Sequence, residues 1–311
     1  MRLVTFTVGS TPQRTGALIE GDRRVLDLQA AYARVYHGAS PLLHSMLHIV
    51  EAGEAALDTI GQLLKAPSPA VTFNREEVTF LAPIPVPPQM RDFLCFEQHL
   101  RQAFEAVAKI RGTPPRIPEV WYERPIYYHP SRFSVCGTEA DVPWPRYCEK
   151  LDFELEFGCY IGRPGKDIPK ERAREHIFGY TIFNDFSARD EQTKEMAGQL
   201  GPGKGKDFDN GNAMGPCLVT ADEIGDPYRL EMVVRVNGEE WGRGNSRDMR
   251  WKFEDCIAHA SRSETLHPGE FFGSGTVGNG SGLEHLRFLD PGDVVELEVE
   301  AIGVLRNRVV R

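Results

Sequence analysis

The sequence predicts an α+β fold dominated by β-structure, with a small N-terminal α/β domain ahead of a larger strand-rich one. Three observations carry this. Beyond residue 119, short aromatic and β-branched runs alternate with Gly, Pro, Asn and Asp turns. No regular strand–helix alternation of a parallel doubly wound sheet accompanies them. Between the two parts lies residues 82–89 (APIPVPPQ), whose prolines can neither continue a helix nor join a central strand.

In order along the chain, residues 3–8, 16–20 and 24–28 read as short strands separated by turn residues. A mostly helical segment at 41–65 follows, because Leu42, Leu43, Met46, Ile49 and Val50 recur at helical spacing. A domain boundary is placed near residue 75, giving domains of 1–75 and 76–311. Residues 92–110 read as an amphipathic helix with Phe93, Phe96, Leu100, Phe104 and Val107 on one stripe. The runs 133–136, 151–161, 177–185, 217–220, 229–237 and 294–302 read as strands, and 248–261 as one further helix. The glycine-rich stretch 272–282 (FGSGTVGNGSG) reads as loop.

Bulk properties exclude several functions. A formal net charge of −9 without a long basic run argues against nucleic acid. No stretch approaches the roughly 18 consecutive apolar residues that cross a bilayer, and the opening MRLVTFTVG is strand-like, so a cytoplasmic protein without membrane contact is expected. Six scattered cysteines, with no Cys-x-x-Cys pair, read as buried free thiols. Residues 273–278 (GSGTVG) match a dinucleotide-binding pattern, but NGSG follows where a helix would have to start. Residues 198–205 (GQLGPGKG) approach a P-loop but lack the hydroxyl that holds magnesium.

The chemistry concentrates in residues 151–157 (LDFELEF). Apolar and acidic residues alternate there with the period of a strand, so Phe153, Leu155 and Phe157 share one face and Glu154 and Glu156 the other. Two buried carboxylates require a cation, and a hard divalent metal suits oxygen ligands. The run alone also fits a solvated strand face. Asp185 ends the apolar run 178–183 and stands at a strand end, where it can join them; by itself it also fits a turn aspartate.

These runs, with 184–190 (NDFSARD) and 205–209 (GKDFD), resemble the fumarylacetoacetate hydrolase (fumarylacetoacetase) family over about residues 76–311. The resemblance implies a mixed β-sandwich/roll catalytic domain. It places metal acids on Glu154, Glu156 and Asp185, a fourth on Asp92, and a catalytic histidine on His99. A continuous helix would set Asp92 and His99 about 10 Å apart, so the helix must start after Asp92 or bend. The family's orienting glutamate falls on Glu284. Its remaining catalytic positions fall on Arg189, Gln192 and Lys206 (with Lys204 as the neighbouring choice), and substrate contacts on Tyr128 and Thr276. Leu94 stands where the family carries a tyrosine. The implied activity is hydrolysis of a carbon–carbon bond in a 1,3-diketo acid, with Mg²⁺ as the divalent cation (Mn²⁺ and Ca²⁺ accept the same ligands), in a homodimer. The same metal site serves relatives that decarboxylate, hydrate or isomerise 2-oxo acids. A non-catalytic, metal-stabilised oligomer is the third reading.

Overall fold

The computed structural model describes residues 1–112, 114 and 116–311. Its largest feature is a mixed sheet in which the N-terminal and C-terminal parts of the chain are hydrogen-bonded to each other. The strands run in the order Thr72–Asn74, Arg24–Asp27, Arg14–Ile19, Arg2–Thr7, Asn212–Thr220, Ile177–Asp185, Leu155–Ile161, Phe271–Gly273, Met90–Phe93 and Tyr127–Tyr128. Leu3 pairs with Leu218, so residues 1–75 extend the sheet of the larger part. A second sheet orders Glu239–Asn245, Glu231–Val236, Val294–Val299, Gly303–Val310 and Asp141–Pro143.

Alternation along the large sheet feeds two cores. Phe157, Cys159, Ile182, Cys217 and Val219 pack against Met232, Val234, Leu297 and Leu305 of the second sheet, forming the sandwich. Tyr160, Phe178, Phe183, Leu218 and Phe271 point the other way, onto Ile49, Val50, Ile60 and Leu63 of the N-terminal helices. The α+β, strand-dominated architecture is therefore a sheet covered by a sheet on one face and by helices on the other.

Local readings needed adjustment where tertiary pairing overrode pattern. The expected helix at 92–110 is two elements: strand Met90–Phe93 and helix Glu97–Arg111. Residues 90–92 pair in parallel with Phe271–Gly273, so Phe93 belongs to the sheet core while the helical stripe starts at Phe96. The helical stretch 41–65 divides into Met46–Ala52 and Glu54–Leu64 about Gly53, whose φ of 55° suits glycine. A further helix, Leu28–Tyr36, is capped by Asp27, which accepts from the Ala30 N–H at 2.9 Å. The run 151–161 is also split. Leu151–Asp152 pairs with Ser187–Ala188, whereas Leu155–Ile161 pairs with Ile177–Asp185. Strand Glu239–Asn245 carries too many charged residues and glycines for a propensity reading and exists through its partner in the second sheet, which also holds strand Gly303–Val310. All six cysteines are unpaired and buried, as expected. No helix among the described residues is long and apolar enough to cross a membrane.

Close strand approach depends on Gly158, opposite Gly273. A Cβ there would lie 2.3 Å from Phe271 Cζ and 2.6 Å from the Phe272 carbonyl oxygen. Gly158→Ala is expected to cost about 1–3 kcal/mol by overpacking, read as a lower urea midpoint at unchanged m-value.

Candidate functional site

Three strands of the large sheet each bring one acid to the same face. Asp92 lies on Met90–Phe93, Glu156 on Leu155–Ile161, and Asp185 closes Ile177–Asp185. Two-residue alternation sets them on the side of Met90, Tyr160 and Phe183, away from the sandwich core. The strand Phe271–Gly273 separates Asp92 from Glu156 in the sheet. It permits their approach because Gly273 has no side chain: a Cβ would sit 2.4 Å from Asp92 Oδ1. One oxygen of each acid lies within 4.8 Å of the others, and all three residues are buried.

Burial pushes Asp92 well above the usual carboxylate range, as does the neighbouring Asp185. Burial followed by Asp92 does the same to Glu156. Burial also raises Asp185, to about 6, against the opposing pull of Lys206. Three carboxylates this close in a dry site cannot all remain ionised without a cation. Glu156 Oε2 and Asp185 Oδ1 are buried with no hydrogen-bond partner among the described residues. An all-oxygen donor set with unsatisfied lone pairs fits a hard divalent ion. The other oxygens are oriented from outside the cluster. Gly275 N–H donates to Asp92 Oδ1 at 3.2 Å, Thr276 Oγ1 to Glu156 Oε1 at 3.3 Å, and Tyr128 OH to Asp185 Oδ2 at 2.7 Å. Thr276 and Tyr128 thus touch the acids themselves.

Glu154 is buried beside this group but faces cations. Lys206 Nζ donates to Glu154 Oε2 and to Asp185 Oδ2, both at 2.6 Å, and to the Asp185 carbonyl at 3.1 Å. Arg189 Nη2 stands 2.8 Å from Glu154 Oε1. Burial alone would raise Glu154, but Lys206 and Arg189 outweigh it and hold the carboxyl at about 2, with a smaller contribution from His99. The four expected acids therefore divide: three converge, and Glu154 anchors the positive side of the site. Burial works against the Lys206 ammonium, yet Asp185 and Glu154 raise its pKa and keep it charged. Lys204, by contrast, is exposed, its ammonium donating to the Asp207 carbonyl. Gln192 Oε1 accepts from Arg189 Nη1 at 2.9 Å.

The histidine arrives on the helix that begins at Glu97, so the strand-to-helix turn between Asp92 and His99 replaces the two helical turns that would have separated them. His99 Nδ1 is 2.9 Å from Glu284 Oε1, and Ser281 N–H holds Glu284 Oε2 at 3.0 Å. Both side chains are buried. A carboxylate only accepts, so Nδ1 carries a proton, and in the neutral ring Nε2 is the nitrogen with the lone pair. Leu94 is half-buried and its backbone carbonyl accepts from Trp121 Nε1 at 2.6 Å.

One functional-looking residue escaped the sequence reading. Asp152, fully buried, accepts from Arg189 Nε at 2.7 Å, Gly282 N–H at 2.8 Å and Leu283 N–H at 2.9 Å. The signal was present, since Asp152 shares the alternation that singled out Glu154 and Glu156.

Residues 89–310 match a protein-family model described as the C-terminal domain of fumarylacetoacetate hydrolase. A mitochondrial oxaloacetate tautomerase of Xenopus laevis is 34% identical over 313 residues, covering 100% of the chain and 90% of that protein. An oxaloacetate tautomerase of Bacillus subtilis is 31% identical over 301 residues, covering 94% of the chain and 95% of that protein. Among solved structures, a fumarylacetoacetate hydrolase from Exiguobacterium antarcticum superposes with a TM-score of 0.76 at 25% identity, covering 100% of the chain and 99% of its own. The expected enzyme class, a hydrolase of carbon–carbon bonds, is corrected by the Xenopus and Bacillus relatives, both of which are named tautomerases. The physical reason is that an acid cluster able to support an enolate does not determine whether the next event is bond cleavage or proton return.

Two outcomes test the acid cluster. Gly273→Ala displaces Asp92 and is expected to weaken Mg²⁺ or Mn²⁺ binding at least about 10-fold in calorimetry, the scale of losing an orienting neighbour. Cation affinity of the parent protein should also fall as pH drops through about 6, because a proton on Asp185 must leave before a cation binds there.

Proposed function

The chain belongs to the fumarylacetoacetate hydrolase family, and within it we propose that it is a divalent-cation-dependent keto–enol tautomerase of a 2-oxo dicarboxylic acid of the oxaloacetate type. The observation that carries this reading is a buried imidazole oriented by Glu284, on the helix that follows the strand of Asp92, together with the convergent acids Asp92, Glu156 and Asp185. The two tautomerase relatives, similar over nearly the whole chain, support the reaction class.

Asp92, Glu156 and Asp185 would hold the cation, Mg²⁺ being the natural occupant of an all-oxygen set. When bound, it supplies Lewis acidity that favours an enolate over a ketone. The remaining work belongs to side chains. His99 Nε2 takes a proton from C3 of the keto acid, and the C–H electron pair moves into C2–C3 as the carbonyl π pair moves onto the C2 oxygen. Glu284 stabilises the resulting imidazolium through Nδ1–H. Lys206 stays an ammonium and meets the negative charge developing on oxygen. The imidazolium returns its proton to that oxygen, giving the enol. No bond between carbons breaks, and the enzyme regains its starting protonation. Burial of His99, of the Glu284 side chain and of the acids limits competing attack by water.

The test follows the decay of enol absorbance of oxaloacetate with Mg²⁺, with chelator, and with no enzyme. Faster equilibration without accumulation of cleavage products is expected, with chelator abolishing it. His99→Ala should lower the rate by about 10²–10⁴-fold while cation binding persists. Equal rates with and without enzyme, or near-parental activity in His99→Ala, would remove this reading.

A further inference from the structure

We propose that Asp152 is a positioning residue that sets the His99–Glu284 pair by holding the turn on which Glu284 stands. The inference rests on the proton-transfer reading of that pair. Asp152 is 0% exposed, and its two oxygens gather four donors: Phe153 N–H and Gly282 N–H on Oδ1, Leu283 N–H and Arg189 Nε on Oδ2. Two of these donors are consecutive backbone groups immediately preceding Glu284. The approach is close, since a Cβ on Gly282 would come 2.6 Å from Asp152 Oδ1.

The arrangement gives one carboxylate two duties. Toward the turn it neutralises the N–H groups of a single short helical turn, Leu283–His285, which has no side-chain cap of its own. Toward the other side it orients Arg189, whose remaining nitrogens reach Glu154 and Gln192. Strand Leu151–Asp152, paired with Ser187–Ala188 in a separate two-stranded sheet, fixes the position of Asp152 just ahead of Leu155–Ile161, the strand that bears Glu156. Without Asp152 the N–H groups of Gly282 and Leu283 lose their acceptor, and the turn is left with its backbone bonds (Arg287 N–H to the Gly282 carbonyl, Leu289 N–H to the Leu151 carbonyl), the Glu154–Ser281 bridge and the Ser281 N–H on Glu284. A shift of the carboxylate then leaves His99 without the acceptor that selects its tautomer.

The experiment uses the full chain with Mg²⁺, ¹⁵N-labelled at histidine, and reads the hydrogen-bonded Nδ1–H of His99, assigned by its loss in His99→Gln. Asp152→Asn should abolish or shift this resonance as Glu284→Gln does, and lower kcat by about 10–100-fold, the range for a residue that orients a site ligand, with KM near the parent's. Adding Asp152→Asn to Glu284→Gln should change the His99 resonance no further, because on that pair both act through one contact. Should Asp152→Asn fail to fold, the neutral pair Asp152→Asn with Arg189→Gln replaces it. Arg189→Gln alone should keep the His99 resonance and the pair should lose it. An unchanged resonance in Asp152→Asn or in the pair overturns the proposal. The resonance needs no substrate, so absence of tautomerase activity in the parent sinks the functional reading while the positioning role of Asp152 is still decided by the spectrum.

Discussion

Negative charge held in a place from which water is excluded is the constraint on which the site depends. Asp92, Glu156 and Asp185 come from three strands and converge within 4.8 Å. Each is raised in pKa by burial. Such a cluster is expensive unless positive charge answers it. One answer is visible in the chain itself: Lys206 and Arg189 stand against Glu154, with Lys206 also reaching Asp185. The other is the cation proposed for this site, which the unsatisfied oxygen on each of Glu156 and Asp185 fits.

The scaffold serves that convergence. A strand carrying glycine at position 273 runs between the strands of Glu156 and Asp92, so the backbone is close while the space above it stays open for carboxylates. The N-terminal helices cover the same face farther along, through Tyr160, Phe178 and Phe183, and the second sheet packs on the opposite face. The buried pair of Arg91 with Glu270 ties the strand of Asp92 to the turn before Phe271–Gly273.

Proton movement is assigned to a different part of the fold. His99 sits near the start of a helix and Glu284 in a short turn more than 180 residues later. Their meeting orients the imidazole, and in the proposed tautomerase it does so for a site that would stabilise an enolate. That combination suits proton relocation in a 2-oxo acid without breaking its carbon skeleton.

The sequence by itself determined the strand-rich architecture, the period-two placement of Glu154 and Glu156, and the free, buried state of the cysteines, because these follow from local alternation and composition. It also exposed the chemistry-bearing residues through a resemblance carried by LDFELEF, NDFSARD and GKDFD. It did not distinguish the roles of the acids. Whether Glu154 meets a cation of the protein or joins the other carboxylates depends on where Lys206 and Arg189 arrive, and these lie on separate elements, Arg189 at the start of helix Arg189–Glu195 and Lys206 just after the turn Gly203–Gly205. The strand at 90–93 was hidden for a similar reason, since its apolar residues suit a helix until Phe271–Gly273 pairs with them. Asp152 looked like one more acid in an alternating strand; its significance comes from two N–H groups 130 residues away. Local pattern records which face a side chain takes. Only the tertiary structure decides what meets it there, because the partners are brought together by long-range strand pairing and packing.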